Sequence, residues 1–267
     1  MENVLTIAGS DNLAGGGIQA DLKTFEELDV FGVSALTSVV NVVPGEIHPH
    51  TLSSELLAEQ LDATLSQLPI HFAKIGLIGS FSNLLVIIKK LMNTDIKLIV
   101  DPVLFFKEGT HHFQKLYADA MKSLLLPIAY LVTPNLEEAA YLSDTSKLET
   151  QSDIQQAAQK IQALGCPNVV IKFGSRFPGD TAYNYLLTES GDYWFDTPKL
   201  AVTTTDGAGC TFSAAITALL ARDYSLVEAV RLATRFVYLG IQAGIPISPR
   251  LGSVWQGAYR QQKEVHP

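Results

Sequence analysis

Residues 4–28 read VLTIAGSDNLAGGGIQADLKTFEEL, and two changes of pattern inside this stretch decide the fold. Val4–Ala8 is a short apolar run with the length of a buried strand. It leaves through Gly9-Ser10-Asp11 into a loop that closes on Gly15-Gly16-Gly17. From Ile18 the period switches, because Ile18, Leu22, Phe25 and Leu28 recur at the spacing of an amphipathic helix. A strand that passes through a glycine loop into a helix is the opening half of a βαβ unit.

The same alternation continues along the chain. Val33–Val43 predicts a strand, Ser53–Leu68 a serine-capped helix, Ala73–Ile78 a strand, Asn83–Met92 a helix and Lys97–Val103 a strand. Beyond these, Phe113–Leu126, Asp153–Leu164, Cys210–Arg222 and Leu226–Gly244 predict helices, and Tyr130–Thr133 and Asn168–Phe173 predict strands. Gly165 is placed as a helix stop. Ala182–Leu187 and Asp192–Phe195 flank a Glu-Ser-Gly turn and read as a hairpin at a sheet edge. Strands separated by helices predict a mainly parallel sheet with helices on both faces. With no linker, repeat or low-complexity run, residues 1–267 read as one α/β domain. In such sheets the active site lies outside the carboxyl ends of the strands, so the loops that follow strands carry the functional argument.

Composition narrows the classes. With 47% hydrophobic and 17% charged residues the chain can bury a full core. Nineteen basic against 27 acidic residues leave a net charge of −8, which argues against nucleic acid as a partner. A polyanion bound here must meet a few cations, backbone amides or a metal ion gathered at one place. Two cysteines, Cys166 and Cys210, make no disulfide framework, and the opening MENVLTIAGSD lacks a basic leader, so a reduced cytoplasm is expected. No stretch has the length of a membrane span.

Four loops after strands hold unusual residues. The first is Gly15-Gly16-Gly17, which lets a ligand approach the backbone but lacks the Gly-Lys-Ser/Thr of a Walker A loop. The second is Asp101-Pro102-Val103, an acid placed for a metal or a phosphate-bound water, or a plain strand terminator. The third is Thr133-Pro134-Asn135-Leu136-Glu137-Glu138, where Asn135 and Glu138 share one side of a first helical turn. They read either as oxygen ligands around hydrated Mg²⁺ or as a helix cap. The fourth is Asp206-Gly207-Ala208-Gly209-Cys210, running directly into a helix. The N–H groups of Gly207, Ala208 and Gly209 predict an anion hole. A cysteine in the first turn has a lowered thiol pKa and can take a proton from an attacking hydroxyl, although a lone cysteine is also a small buried apolar residue. His48, His50, His111 and His112 read as solvated loop residues, without zinc spacing.

Taken together, LTIAGSD, GGGIQADLKTF, KIG, DPV, TPNLEEA, IK and GAGCTFSAAI, in this order and nearly end to end, resemble the ribokinase superfamily. Within it the chain resembles the vitamin kinases of the hydroxymethylpyrimidine kinase and bacterial pyridoxal kinase branch. The resemblance implies a three-layer ribokinase-like fold, a homodimer, and ATP and Mg²⁺ as cosubstrate and ion. The implied reaction moves the γ-phosphoryl of ATP to a hydroxymethyl group on a nitrogen heterocycle. By matching position it implies Cys210 as catalytic base, where the superfamily's sugar kinases carry Asp, and Gly207, Ala208 and Gly209 as anion hole. It implies Asp101, Asn135, Glu138 and Lys172 around ATP and Mg²⁺, with Asp101 and Glu138 reaching the ion through water. Gly16, Asp21, Val42 and Val103 are implied around the substrate ring.

The glutamine that reads the aminopyrimidine in pyrimidine kinases falls on Val42, which cannot make that hydrogen bond. Together with the closing Gly252-Ser253-Val254-Trp255-Gln256-Gly257-Ala258-Tyr259, this favours pyridoxal, pyridoxine and pyridoxamine over hydroxymethylpyrimidine, which remains the alternative. A vitamin- or nucleotide-binding regulator without turnover is the reading from another class. Three residues depart from the family pattern: Phe106 where some lids carry Cys, Asp206 where His is usual, and Leu77 in Lys74-Ile75-Gly76-Leu77. A short lid is expected around Phe105–His112.

Overall fold

The computed structural model describes the chain except residues 44, 45, 104–110, 175, 178, 249, 250, 266 and 267, and it describes no side chains for 111–115 and 262–265. Phe106 and the rest of the lid expected ahead of His111 lie outside the described residues.

In chain order the elements are β1 (Asn3–Asp11), α1 (Gly17–Glu27), β2 (Phe31–Val43), β3 (Glu46–Thr51), α2 (Ser54–Gln67), β4 (Phe72–Ile75), α3 (Phe81–Leu91) and β5 (Lys97–Val100). Then come α4 (His111–Ala120), β6 (Leu131–Val132), α5 (Leu136–Leu142), α6 (Gln151–Gln162), β7 (Asn168–Gly174), β8 (Thr181–Thr188) and β9 (Gly191–Pro198). The chain closes with α7 (Ala208–Ala221), α8 (Leu226–Gln242), β10 (Ile245–Ser248), β11 (Leu251–Ser253) and α9 (Ala258–Val265).

Nine strands form one sheet in the order β3-β2-β1-β4-β5-β6-β7-β8-β9. From β2 to β7 every pairing is parallel. The two edges are antiparallel, β2 with β3 on one side and β7-β8-β9 on the other. The expected edge hairpin is therefore β8–β9. The hairpin at the opposite edge was not expected from sequence, and it moves His48 and His50 from a loop onto β3, where both are exposed. No group of three metal-ligating side chains occurs among the described residues.

Alternation along the strands builds the layers. Leu5, Ile7, Ile75, Val100 and Ile171 face the helices α2 to α6. Val4, Ile99, Leu131 and Val170 face α1, α7 and α8. That period of two is why the central strands are apolar on both sides. Helix α7 is apolar nearly all round, and every residue from Thr211 to Ala221 is buried. It lies against α1 and the sheet, so its N-terminus is held at the carboxyl ends of β1, β4 and β5.

Candidate active site

Four loops meet at those carboxyl ends around a cavity of about 690 Å³. Gly16, Asp101, Val103, Asn135, Glu138, Lys172, Gly207, Ala208, Gly209 and Cys210 all line it, as does Asp206. Asp21 and Val42 do not. Val42 sits near the end of β2, where its N–H donates to Asn12 Oδ1 at 2.8 Å. Asp21 is fully enclosed between α1 and β4, so it reaches the cavity only through what it touches.

The glycine loops are shaped by one carboxylate that the sequence reading passed over. Asp11 accepts from the N–H groups of Leu13, Gly15 and Gly16 at 2.8, 3.1 and 2.8 Å, curling the loop ahead of α1. An Asp that bonds its own backbone two residues on is the signal that could have found it. Opposite, Gly207 caps α7 with φ of 78°, a left-handed conformation that suits glycine. The first helical bond of α7 runs from Thr211 N–H to Gly207 O, and the Ala208 N–H closes a turn onto Thr205 O at 3.1 Å. Of the expected anion-hole amides, that of Ala208 is taken by the turn, while those of Gly207 and Gly209 stand with that of Cys210 where the helix opens. The C-terminal segment braces this loop, since Asp206 N–H donates to Gly252 O and Val254 N–H donates to Asp206 O, each at 3.0 Å.

Lys172 reaches across the cavity floor to Asp101 Oδ1 at 2.5 Å, with side chains 14% and 3% exposed. Ser213 Oγ on α7 donates to the other oxygen of Asp101 at 3.3 Å. A Cβ at Gly209 would stand 3.1 Å from Lys172 Nζ, so the ammonium lies against the start of α7. Removing one partner of a buried pair leaves the other uncompensated. Lys172→Met is therefore expected to cost about 3 kcal/mol, read as a Tm lower by roughly 6–12 °C. It should also raise the KM for the nucleotide. An unchanged Tm would show that solvent reaches Asp101 freely.

Asn135 and Glu138 form a reciprocal cap. Asn135 Oδ1 accepts from Glu137 and Glu138 N–H at 2.9 and 3.1 Å, and Glu138 Oε2 accepts from Asn135 N–H at 2.8 Å. The capping reading and the ligand reading are thus compatible, because the cap fixes both side chains at the cavity wall, next to Lys172 through the Lys172 N–H bond to Pro134 O.

Cys210 is part-exposed and lies against Gly16, where a Cβ would stand 3.9 Å from its sulfur. The Gly17 N–H at the start of α1 donates to the sulfur. The expected lowering of the thiol pKa is overturned. Burial raises it to about 11, with Asp21 and Asp101 adding to the rise, and the opposing pull of Lys74 and the Gly17 N–H falls short. Asp206 is also raised, first by burial and then by the charge of Asp11. Beneath the sulfur, Lys74 Nζ contacts both oxygens of Asp21 at 2.8 Å, and Thr6 Oγ1 donates to Asp21 at 2.6 Å. A lysine inside the apolar run Ala73–Ile75 was the overlooked signal for this pair.

The phosphomethylpyrimidine kinase family profile matches residues 11–255. A pyridoxine kinase of Bacillus subtilis is 34% identical over 264 residues, covering 97% of each chain. A hydroxymethylpyrimidine/phosphomethylpyrimidine kinase of Staphylococcus aureus is 36% identical over 259 residues, 96% of this chain and 93% of that one. Among solved structures, an ADP complex of Bacillus subtilis pyridoxal kinase superimposes with a TM-score of 0.92 at 33% identity, covering 97% of this chain and 99% of that one. The Staphylococcus aureus pyridoxal kinase bound to AMP-PCP and pyridoxal gives 0.90 at 35% identity, over 98% and 95%. The phosphomethylpyrimidine kinase of Clostridium difficile gives 0.76 at 30% identity, over 89% and 98%.

Proposed function

The chain belongs to the phosphomethylpyrimidine kinase family, and from that premise we propose that it is an ATP-dependent kinase of pyridoxal, pyridoxine and pyridoxamine. One observation carries the acceptor choice: the fold follows pyridoxal kinases at TM-scores of 0.90 to 0.92, against 0.76 for the phosphomethylpyrimidine kinase. Sequence identity alone does not separate the two acceptors, at 34% and 36%.

In this reading the acceptor hydroxymethyl lies beside Gly16 and Cys210, and the phosphates of ATP lie over the start of α7. The acceptor oxygen bonds to the γ-phosphorus as the bond to the ADP oxygen breaks, and the hydroxyl proton passes to the Cys210 thiolate, giving the thiol. Phosphoryl transfer depends on positioning and charge stabilisation more than on covalent chemistry. The amides of Gly209 and Cys210 and the ammonium of Lys172, aimed by Asp101, which Ser213 holds in turn, supply fixed positive potential there. Mg²⁺ keeps several waters and is held by one or two carboxylates together with substrate phosphates, and two carboxylates lining one cavity suit that mode. Asp101 and Glu138 would hold it through water, and the ion would neutralise phosphate charge. A homodimer in the cytoplasm is carried over from the family resemblance. No helix among the described residues is long and apolar enough to cross a membrane.

The test is a side-by-side kinase assay. Pyridoxal is expected to be turned over with a kcat/KM at least about tenfold above that of hydroxymethylpyrimidine, the discrimination that about 1.4 kcal/mol of polar contact supplies. The reverse order would assign the chain to the thiamin-precursor reaction that the family match and the Staphylococcus aureus relative also support. Tight binding without ADP release would leave a regulator.

A further inference from the structure

The Lys74–Asp21 pair does not line the cavity in which the reaction takes place. Both side chains are fully buried, in the middle of a four-residue strand and on the apolar face of α1. A buried ion pair is commonly no more stabilising than apolar residues of the same volume, so stability alone does not account for it. Its position does. Gly17 N–H holds the Cys210 sulfur, and Asp21 lies one helical turn further along the same face of α1. Lys74 stands opposite Thr6 in the β1–β4 register and meets Asp21 from below. Glycine at position 76 leaves it room, since a Cβ there would stand 2.9 Å from Nζ.

We propose that Lys74 is a positioning residue, whose buried ammonium is the fixed positive charge that stabilises the deprotonated Cys210 sulfur. This rests on the reading of Cys210 as proton acceptor. Among the described residues, the charged groups that act on the sulfur come from three elements: Lys74 on β4, Asp21 on α1 and Asp101 after β5. Of these only Lys74 favours the thiolate, while burial and both carboxylates oppose it. Lys74 itself stays charged. Burial works against its proton, but Asp21, Cys210 and Asp101 together hold its pKa above the ordinary lysine range. Removing the pair takes away one favourable and one smaller unfavourable charge, so the thiol pKa must rise further.

The test reads the sulfur directly, by the pH dependence of iodoacetamide alkylation of the full ligand-free chain. Cys166 is fully buried, so Cys210 dominates the reading. The wild-type midpoint is expected at about 11. The isosteric neutral pair Lys74→Gln/Asp21→Asn should shift it upward and lower kcat by about 10²-fold, with the nucleotide KM within about threefold. Lys74→Arg should recover the wild-type midpoint. If the amide pair does not fold, Lys74→Met/Asp21→Leu gives the same neutral site by an apolar route. An unmoved midpoint in either folded variant overturns the role of Lys74 while leaving Cys210 as base. Normal turnover by Cys210→Ala overturns both.

Discussion

Cys210→Ala is expected to lower kcat by about 10²–10⁴-fold, the range that a positioned general base contributes. The nucleotide KM should change little, because the groups placed around ATP (Lys172, Asn135, Glu138 and the start of α7) keep their own contacts. Stability should also hold to within about 1 kcal/mol, since losing one sulfur atom beside the open cavity leaves no sizeable enclosed void. The pH dependence sharpens the test. A thiol with a pKa of about 11 is protonated at neutral pH, and the acting form is the thiolate. The sign follows: kcat/KM of the wild type rises with pH between about 6 and 9, where the thiolate fraction grows tenfold per unit. The alanine variant should lose that slope. Cys210→Asp, the residue that sugar kinases of the superfamily carry there, should restore part of the rate and a flatter profile. A near-normal Cys210→Ala enzyme would move the base to Asp206, which lines the same cavity and is itself raised by burial and by Asp11.

What could be read from the sequence was what is local in it. The strand-to-helix alternation follows from apolar period, and the loops at the site announce themselves by Gly15-Gly16-Gly17 and Gly207-Ala208-Gly209, or by Pro102 and Pro134 just past β5 and β6. So the sheet, its two helical layers and most of the cavity wall were legible. The β2–β3 hairpin was not. Its outer strand alternates part-buried Ile47 and Pro49 with exposed Glu46, His48 and His50, too weak an amphipathic signal for a strand, and proline at an edge reads as a loop. The site residues divide the same way. Gly207, Gly209 and Cys210 are one contiguous motif, whereas Lys172–Asp101 and Lys74–Asp21 join positions 71 and 53 residues apart. The direction of the Cys210 pKa was misread for that reason. The helix terminus is local, but the burial and the two carboxylates that outweigh it come from elsewhere in the fold. One clue was present. Asp21 lies inside the stripe of Ile18, Leu22 and Phe25, and a carboxylate on an apolar face needs a buried partner.

Gly207→Ala is the substitution expected to damage fold and site together. At φ of 78° an alanine already costs about 1–2 kcal/mol in the left-handed region. The added Cβ would also overlap the carbonyl oxygen of Gly15, so the loop ahead of α1 has to move. That loop is tied to Asp11 through Gly15 and Gly16, and Gly17 beyond it holds the Cys210 sulfur. It cannot yield without releasing those bonds, and the combined loss is expected to exceed about 3 kcal/mol. In a chain of this size that lowers Tm by roughly 6 °C or more. The separation of the two glycine loops misaims the amides that open α7, and loss of one such donor lowers kcat by about 10²–10³-fold. Gly179→Ala is the control. Gly179 also has a positive φ, 94°, but its Cβ would meet nothing within 4 Å among the described residues, so it should show only the backbone cost and keep its activity. If both variants lose Tm equally and Gly207→Ala stays active, the two glycine loops do not depend on each other, and the close approach of Gly207 to Gly15 has no part in building the anion site.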